Sequence, residues 1–156
     1  MDAEVYPDPK VGDYIMQNFI PVKIHIKENG PAFKRFEAQW TPTIMILDGE
    51  GKEHFRFEGF LPTPNFLAEL DFGRARAAFH KKQWDDATRE FNSAAARDPK
   101  TELAAEAGYW AAVAQYQRTH DAATLRAWGK KTLAEYPNTT WAKRAMVYES
   151  EGTAKT

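Results

Sequence analysis

Trp40-Thr41-Pro42-Thr43, running directly into Ile44-Met45-Ile46-Leu47, constrains the fold of this chain more than any other stretch. A short apolar run bounded by turn residues predicts a strand covered on both faces. Proline cannot donate a ladder hydrogen bond, so Pro42 belongs at the first residue of that strand or on an edge. Thr41–Pro42 is also the one kind of bond at which a cis peptide costs little. On local grounds alone an ordinary trans-proline strand start is the better reading, because cis is a small minority of X-Pro bonds, and the surroundings must decide.

Upstream, Asp8 caps a helix that opens on Pro9 and runs from Lys10 to about Asn18, with Val11, Tyr14 and Ile15 at helical spacing. Ile20, Val22, Ile24 and Ile26 then alternate with polar residues, which predicts a strand with one apolar face. Glu28-Asn29-Gly30 is a turn, and Pro31 opens a short helix to about Ala38 that buries Phe33 and Phe36. Downstream, Asp48-Gly49-Glu50-Gly51 reads as a hairpin turn and His54–Glu58 as the returning strand, closed by Gly59. Thr63 is expected to cap a helix with Pro64 at its first position.

Beyond that point the pattern is helical throughout. Helices are expected over Leu67–Lys82, Asp85–Arg97, Glu102–Arg118, Asp121–Tyr136 and Trp141–Tyr148, with Thr139 or Thr140 capping the last. Glu149–Thr156 has little apolar content and is expected to fray. No Gly/Ser/Pro linker parts the two halves, because Gly73 stands alone. One helix of roughly 64–82 is therefore expected to serve both, and the halves to move as one body.

Composition removes several function classes. Net charge is −1, which leaves no basic surplus for nucleic acid and no basic amphipathic helix for a membrane surface. No apolar run approaches the roughly 20 residues that span a bilayer. The opening MDAEVYPDPK is acidic and Pro-bearing, unlike a signal peptide, so the default expectation is a cytoplasmic location. Cysteine is absent, which excludes disulfides, thiolate metal sites and cysteine nucleophiles within this chain.

The helical half resembles a tetratricopeptide repeat. Ala75 is the small residue where the first helix meets the second, and Trp84 is the aromatic at the turn. Ala87, Phe91 and Ala94 are the small, aromatic and small residues of the second helix, and Pro99 closes the unit. Tyr109, Tyr116 and Pro137 fit a second unit, although Pro99 to Pro137 exceeds the roughly 34-residue period. Trp128 and Leu133 fill its second helix without the usual small residues, and Trp141 begins a capping helix. Two units and a cap fall short of the roughly three repeats a free-standing solenoid needs, so packing on the first half, on a second copy or on another partner is expected.

The first half resembles the thioredoxin fold. Trp40-Thr41-Pro42-Thr43 is similar to the family's cis-proline loop, and the buried strand, the Asp48–Lys52 hairpin and Gly59-Phe60 before the last helix follow in the family's order. The resemblance implies a cis Thr41–Pro42 bond. It also implies a CxxC motif, or a variant with selenocysteine, just ahead of a segment like Met1–Asp8, and a strand before that motif; neither is in this chain. Loss of that strand leaves a slot between the Ile20–Ile26 and Thr43–Leu47 strands. Either the chain is a clipped form of a longer oxidoreductase restarted at Met1, for instance after a selenocysteine codon read as stop, or it is a natural fragment whose slot closes or takes a partner strand.

The fold class expected is thus α/β followed by all-α. An incomplete thioredoxin-like sandwich covers 1–72, tetratricopeptide-like repeats cover 64–148 with the helix at about 64–82 shared, and 149–156 is a frayed tail. The family's parent activity is thiol–disulfide or selenol exchange in cell redox homeostasis, and the resemblance implies that this chain, lacking the nucleophile, is redox-inactive; the alternative is a non-catalytic peptide-binding or scaffold module. Site residues implied by the resemblance are Trp40, Thr41, Pro42 and Thr43, with the Thr41 backbone pairing an extended peptide and Trp40 lining the groove or packing at its rim. No catalytic residue, cofactor or metal ligand is expected: His25, His54, His80 and His120 have no ligand-spaced partners, and His25 and His54, on strand faces, read as solvated or hydrogen-bonded. Arg74, Arg76, Lys81 and Lys82 form a basic cluster for an acidic peptide tail or, more simply, a solvated helix face. Phe72 and Arg76 stand where carboxylate-clamping repeats carry Lys and Asn, so that clamp is not supported.

Overall fold

The computed structural model describes residues 4–150, apart from the side chains of Glu149 and Ser150. The elements in order are α1 (Pro9–Asn18), α2 (Gly30–Arg35), β1 (Thr43–Leu47), β2 (Glu53–Glu58), α3 (Thr63–His80), α4 (Trp84–Arg97), α5 (Glu102–Thr119), α6 (Ala123–Glu135) and α7 (Thr140–Ser150). A small α/β part is followed by an all-helical part, and α3 runs unbroken from one into the other.

Local chemistry sets most of these limits. Asp8 accepts a hydrogen bond from the Lys10 amide and Pro9 supplies the first helical residue of α1. Asn29 caps α2 through the Ala32 amide, and Thr101 caps α5 through the Ala104 amide. Thr139 caps α7 through the Ala142 amide. At the start of α3 the cap position falls on Pro62, and no side chain caps the helix. Thr63 is instead its first helical residue.

β1 and β2 pair antiparallel, from Thr43 opposite Glu58 to Leu47 opposite Glu53, with an irregularity between Ile46 and Leu47. Among the described residues they are the whole sheet. The turn is closed by Asp48, whose carboxylate accepts from the amides of Glu50 and Lys52, each at 3.0 Å. Gly51 takes φ +81 there, a left-handed conformation that glycine adopts without strain.

Several expectations give way. Ile20–Ile26 is not a strand: among the described residues it has no ladder partner, and Ile20 is 94% and Val22 77% exposed. Alternation marks a sequence able to form a strand, but a strand without a neighbour leaves its backbone groups to water. β1 is covered unevenly: Thr43, Ile44 and Met45 are half-buried. Ile46 is buried against α3, while Leu47 on the other face is exposed. α2 stops at Arg35, and Phe33 and Phe36 are only half-buried. α7 carries helix to Ser150, two residues into the stretch expected to fray; residues 151–156 lie outside those described.

α3 is buried on almost every side. Phe66, Leu67 and Leu70 join Val5, Val11 and Ile46 in one core, with Phe55 and Phe57 of β2 packed against it. Phe72, Ala75 and Ala78 join Ala87, Phe91, Ala94 and, from α5, Ala107, Ala111 and Ala114 in the next. Small residues at these positions let α3, α4 and α5 approach closely. A third core gathers Trp128, Trp141 and Ala145 under Tyr109. Phe55 touches Phe72 with ring centroids 5.1 Å apart, which stitches the first core to the second.

The sheet lies so close to α3 that Gly73 has no room for a side chain. A Cβ there would sit 2.5 Å from Ile46 Cγ1 and 3.1 Å from Phe55 Cδ1. Alanine normally favours a helix over glycine by about 1 kcal/mol. At this position overpacking outweighs that gain. Gly73→Ala is therefore expected to lower stability by about 1–2 kcal/mol, read by urea titration, whereas Gly12→Ala, with open space around it, raises stability slightly.

Candidate functional site

The loop ahead of β1 is anchored at both ends. After α2 the chain turns at Glu37, with φ +51, and the Arg56 side chain of β2 donates to the Phe36 carbonyl at 2.9 Å. Arg56 also pairs with Glu53, and this bond holds its guanidinium even more firmly protonated than usual. Thr43 Oγ1 donates to the Trp40 carbonyl at 2.6 Å, and the Gly59 amide donates to the Pro42 carbonyl at 2.9 Å. The Thr41–Pro42 peptide is cis.

What the loop offers is backbone and one aromatic ring. The backbone of Thr41 has no hydrogen-bond partner among the described residues, and the residue is exposed. Trp40 is 67% exposed and projects beside it, while Pro42 and Thr43 are half-buried. Among the described residues β1 pairs with β2 alone, so its far edge has no ladder partner and is the kind of edge an added strand takes. Trp40, Thr41, Pro42 and Thr43 are contiguous and share this one surface; none carries a thiol, carboxylate, amine or imidazole.

The packing residues of the helical half come together. Ala75, Ala87 and Phe91 are fully buried and Ala94 is 1% exposed, all in one core. Trp84 packs edge-on against Phe79 at 5.2 Å, and the Pro99 carbonyl accepts from the Tyr136 hydroxyl at 2.6 Å.

The basic cluster does not form one patch. Arg74 points to α4, where it pairs with Glu90 at 3.1 Å. Arg76 points to α5, with its guanidinium 4.6 Å from the Trp110 ring centroid. Two residues along a helix are two hundred degrees around it, so neighbours in sequence served different partners. Glu106 lies beside the Arg76–Trp110 stack and accepts from Trp110 Nε1 at 3.3 Å. Burial, then the Glu106 charge, pushes the Glu69 carboxyl up to about 7.

The fold also joins histidines that spacing kept apart. His54 is 8% exposed, its Nε2 is 2.9 Å from Asp48 Oδ2 and its Nδ1 is 2.8 Å from Nδ1 of His80. The hydrogen bond from His54, with the backbone amides of Lys52 and Glu50, draws the Asp48 carboxyl down to about 2. His54 and His80 are 26 residues apart, which no local motif reports. The alternation of His54 with Phe55 and Phe57 was the only available signal, since it put His54 on the face opposite the two rings. His25 is exposed and lies on no strand. Among the described residues no group of three or more His, Cys, Asp or Glu is arranged to hold a metal ion, and no helix is long and apolar enough to cross a membrane.

A helix-flanked hairpin with a cis-proline loop at one end is the class of structure these residues define. Residues 1–74 match the family model of a thioredoxin-like domain, which ends midway along α3. No curated protein and no solved structure matches the chain.

Glu69 makes stability depend on pH. The folded protein holds this proton to about pH 7, whereas an unfolded glutamate releases it near 4.5. The folded state therefore binds more protons between these values, and stability falls as pH rises through that window. Glu69→Gln is expected to flatten this part of the profile and to stabilise the protein at pH 8 by up to about 2 kcal/mol, since water still reaches part of the carboxyl; thermal melts from pH 4.5 to 8 measure it.

Proposed function

We propose that this chain is the peptide-docking part of a thioredoxin-like oxidoreductase and has no redox turnover of its own. The observation that carries this reading is the exposed, unbonded Thr41 backbone beside Trp40, in a chain without cysteine. An extended segment of a protein substrate pairs with the Thr41 amide and carbonyl as an added strand does, and Trp40 covers one of its side chains. In the complete activity a low-pKa thiolate or selenolate attacks the substrate disulfide, forms a mixed intermediate and is resolved by a second thiol. Such a nucleophile must come from outside these 156 residues.

The helical half is read as tetratricopeptide-like, a surface for protein partners or a second copy. The buried small residues Ala75, Ala87 and Ala94, the aromatics Trp84 and Phe91 and the break at Pro99 support it. The second reading, a non-catalytic scaffold, draws on the same helices and on the unbroken α3 that ties them to the docking loop.

Two measurements test the proposal. In a dithiothreitol-coupled insulin reduction assay the chain is expected to give no rate above buffer; thiol-dependent turnover overturns it. Titration with an extended, disulfide-bearing peptide is expected to move the NMR amide signals of Thr41, Thr43 and Gly59, and Trp40→Ala to weaken that binding about tenfold. Equal affinity for the Trp40→Ala variant removes the loop from the proposal.

A further inference from the structure

We propose that Asp48, His54 and His80 form a proton-operated latch that pins the β1–β2 turn to the C-terminal end of α3 and opens when both imidazoles are protonated. The inference does not depend on the docking role of the Trp40–Thr43 loop.

Geometry assigns the protons. Asp48 is a carboxylate that can only accept; its Oδ1 takes the amides of Glu50 and Lys52, and its Oδ2 faces His54 Nε2 at 2.9 Å. His54 Nε2 therefore carries a hydrogen. Neutral His54 then has a bare Nδ1, and the 2.8 Å contact is filled by the Nδ1–H of His80. His80 is left with a bare Nε2, and it is the exposed member of the pair. The ring centroids are 5.1 Å apart and the nitrogens 2.8 Å, so the two nitrogens face each other head-on with one hydrogen between them and no space for a metal ion.

A first proton enters at His80 Nε2 from solvent and breaks nothing. The imidazolium still donates its Nδ1–H to His54, now as a charge-assisted bond. A second proton can go only to His54 Nδ1. That sets two N–H groups on two cations against each other and separates the rings. The protons belong to the pair rather than to either ring.

The charged surroundings favour a low charge on the pair. Burial, then the charges of Arg76 from α3, His54 and Lys52 from the turn, hold the His80 pKa below the ordinary histidine value. Among the described residues Asp48 is the one carboxylate bonded to the two imidazoles, and it lies on the His54 side. The latch thus stays closed through the first protonation and opens only as pH falls, below the ordinary histidine pKa, through the second. Its opening frees the turn end of the hairpin whose opposite end carries Trp40–Thr43.

The test is an imidazole NMR titration of the full chain from pH 8 to 4.5, with amide hydrogen exchange at the hairpin corrected for intrinsic rate. His54 and His80 are expected to shift together in two steps. Hairpin amides are expected to lose protection about tenfold per pH unit below the second step, and His80→Gln to abolish that loss while His25→Gln retains it. Independent single-step titrations of His54 and His80 overturn the latch. So does a His80→Gln variant whose hairpin exchange follows the wild-type pH dependence; should that variant not fold, the wild-type titration decides alone.

Discussion

The carboxylate of Asp71 holds the α/β part and the helical part in one arrangement. It is 1% exposed and sits on α3 at the meeting point of three helices. It accepts from the Tyr14 hydroxyl of α1, from Ser93 Oγ of α4 at 2.8 Å and from Arg97 Nε of α4 at 2.5 Å. A buried charge is tolerable only when it is paired and hydrogen-bonded, and here both oxygens are served. The Arg97 guanidinium also lies 4.8 Å from the Tyr14 ring centroid, so the cation that neutralises Asp71 covers the phenol that donates to it. Burial, then the bond to Asp71, pushes the Tyr14 hydroxyl up to about 12, which keeps it a donor at any physiological pH. Replacing such a network with apolar residues often costs little, whereas removing one member strands the others. Its contribution is therefore to the docking angle of α1 and α4 as much as to stability.

Around that anchor α3 has a different partner on each side. One side meets β1 and β2 through Ile46 and Phe55, another meets α4 through Ala75 and Ala78, and the remaining face carries Glu69 and Arg76 toward α5. Glycine at position 73 is the condition for the first contact and alanine at 75 for the second. A helix so enclosed shows little amphipathic pattern, because apolar residues are needed nearly all round.

This explains what could be read from the residues and what could not. The helices of the second half, the Asp48 turn and the Asp8 cap rest on contacts within a few residues, and they stand close to where local pattern places them. Ile20–Ile26 has the right alternation for a strand, yet pairing is a property of two segments and no neighbour was there. The partial cover of β1 escaped for the same reason: an apolar run says a strand can be buried on both faces, not how much lies on each. Trp40, Thr41, Pro42 and Thr43 were legible as a loop because proline and its strand are adjacent. The Asp48–His54–His80 cluster, the Asp71 network and the split of Arg74 from Arg76 were not, since each depends on which helix faces arrive together.

The unbroken α3 has a consequence for how such a chain can be inherited. Domains usually change partners by recombination at exposed linkers. Here the family match ends inside a helix that also supplies Phe72, Ala75 and Ala78 to the next core. A crossover in that helix leaves each half missing part of its own interior, so the α/β part and the first helical pair are bound to change together, as one evolutionary unit.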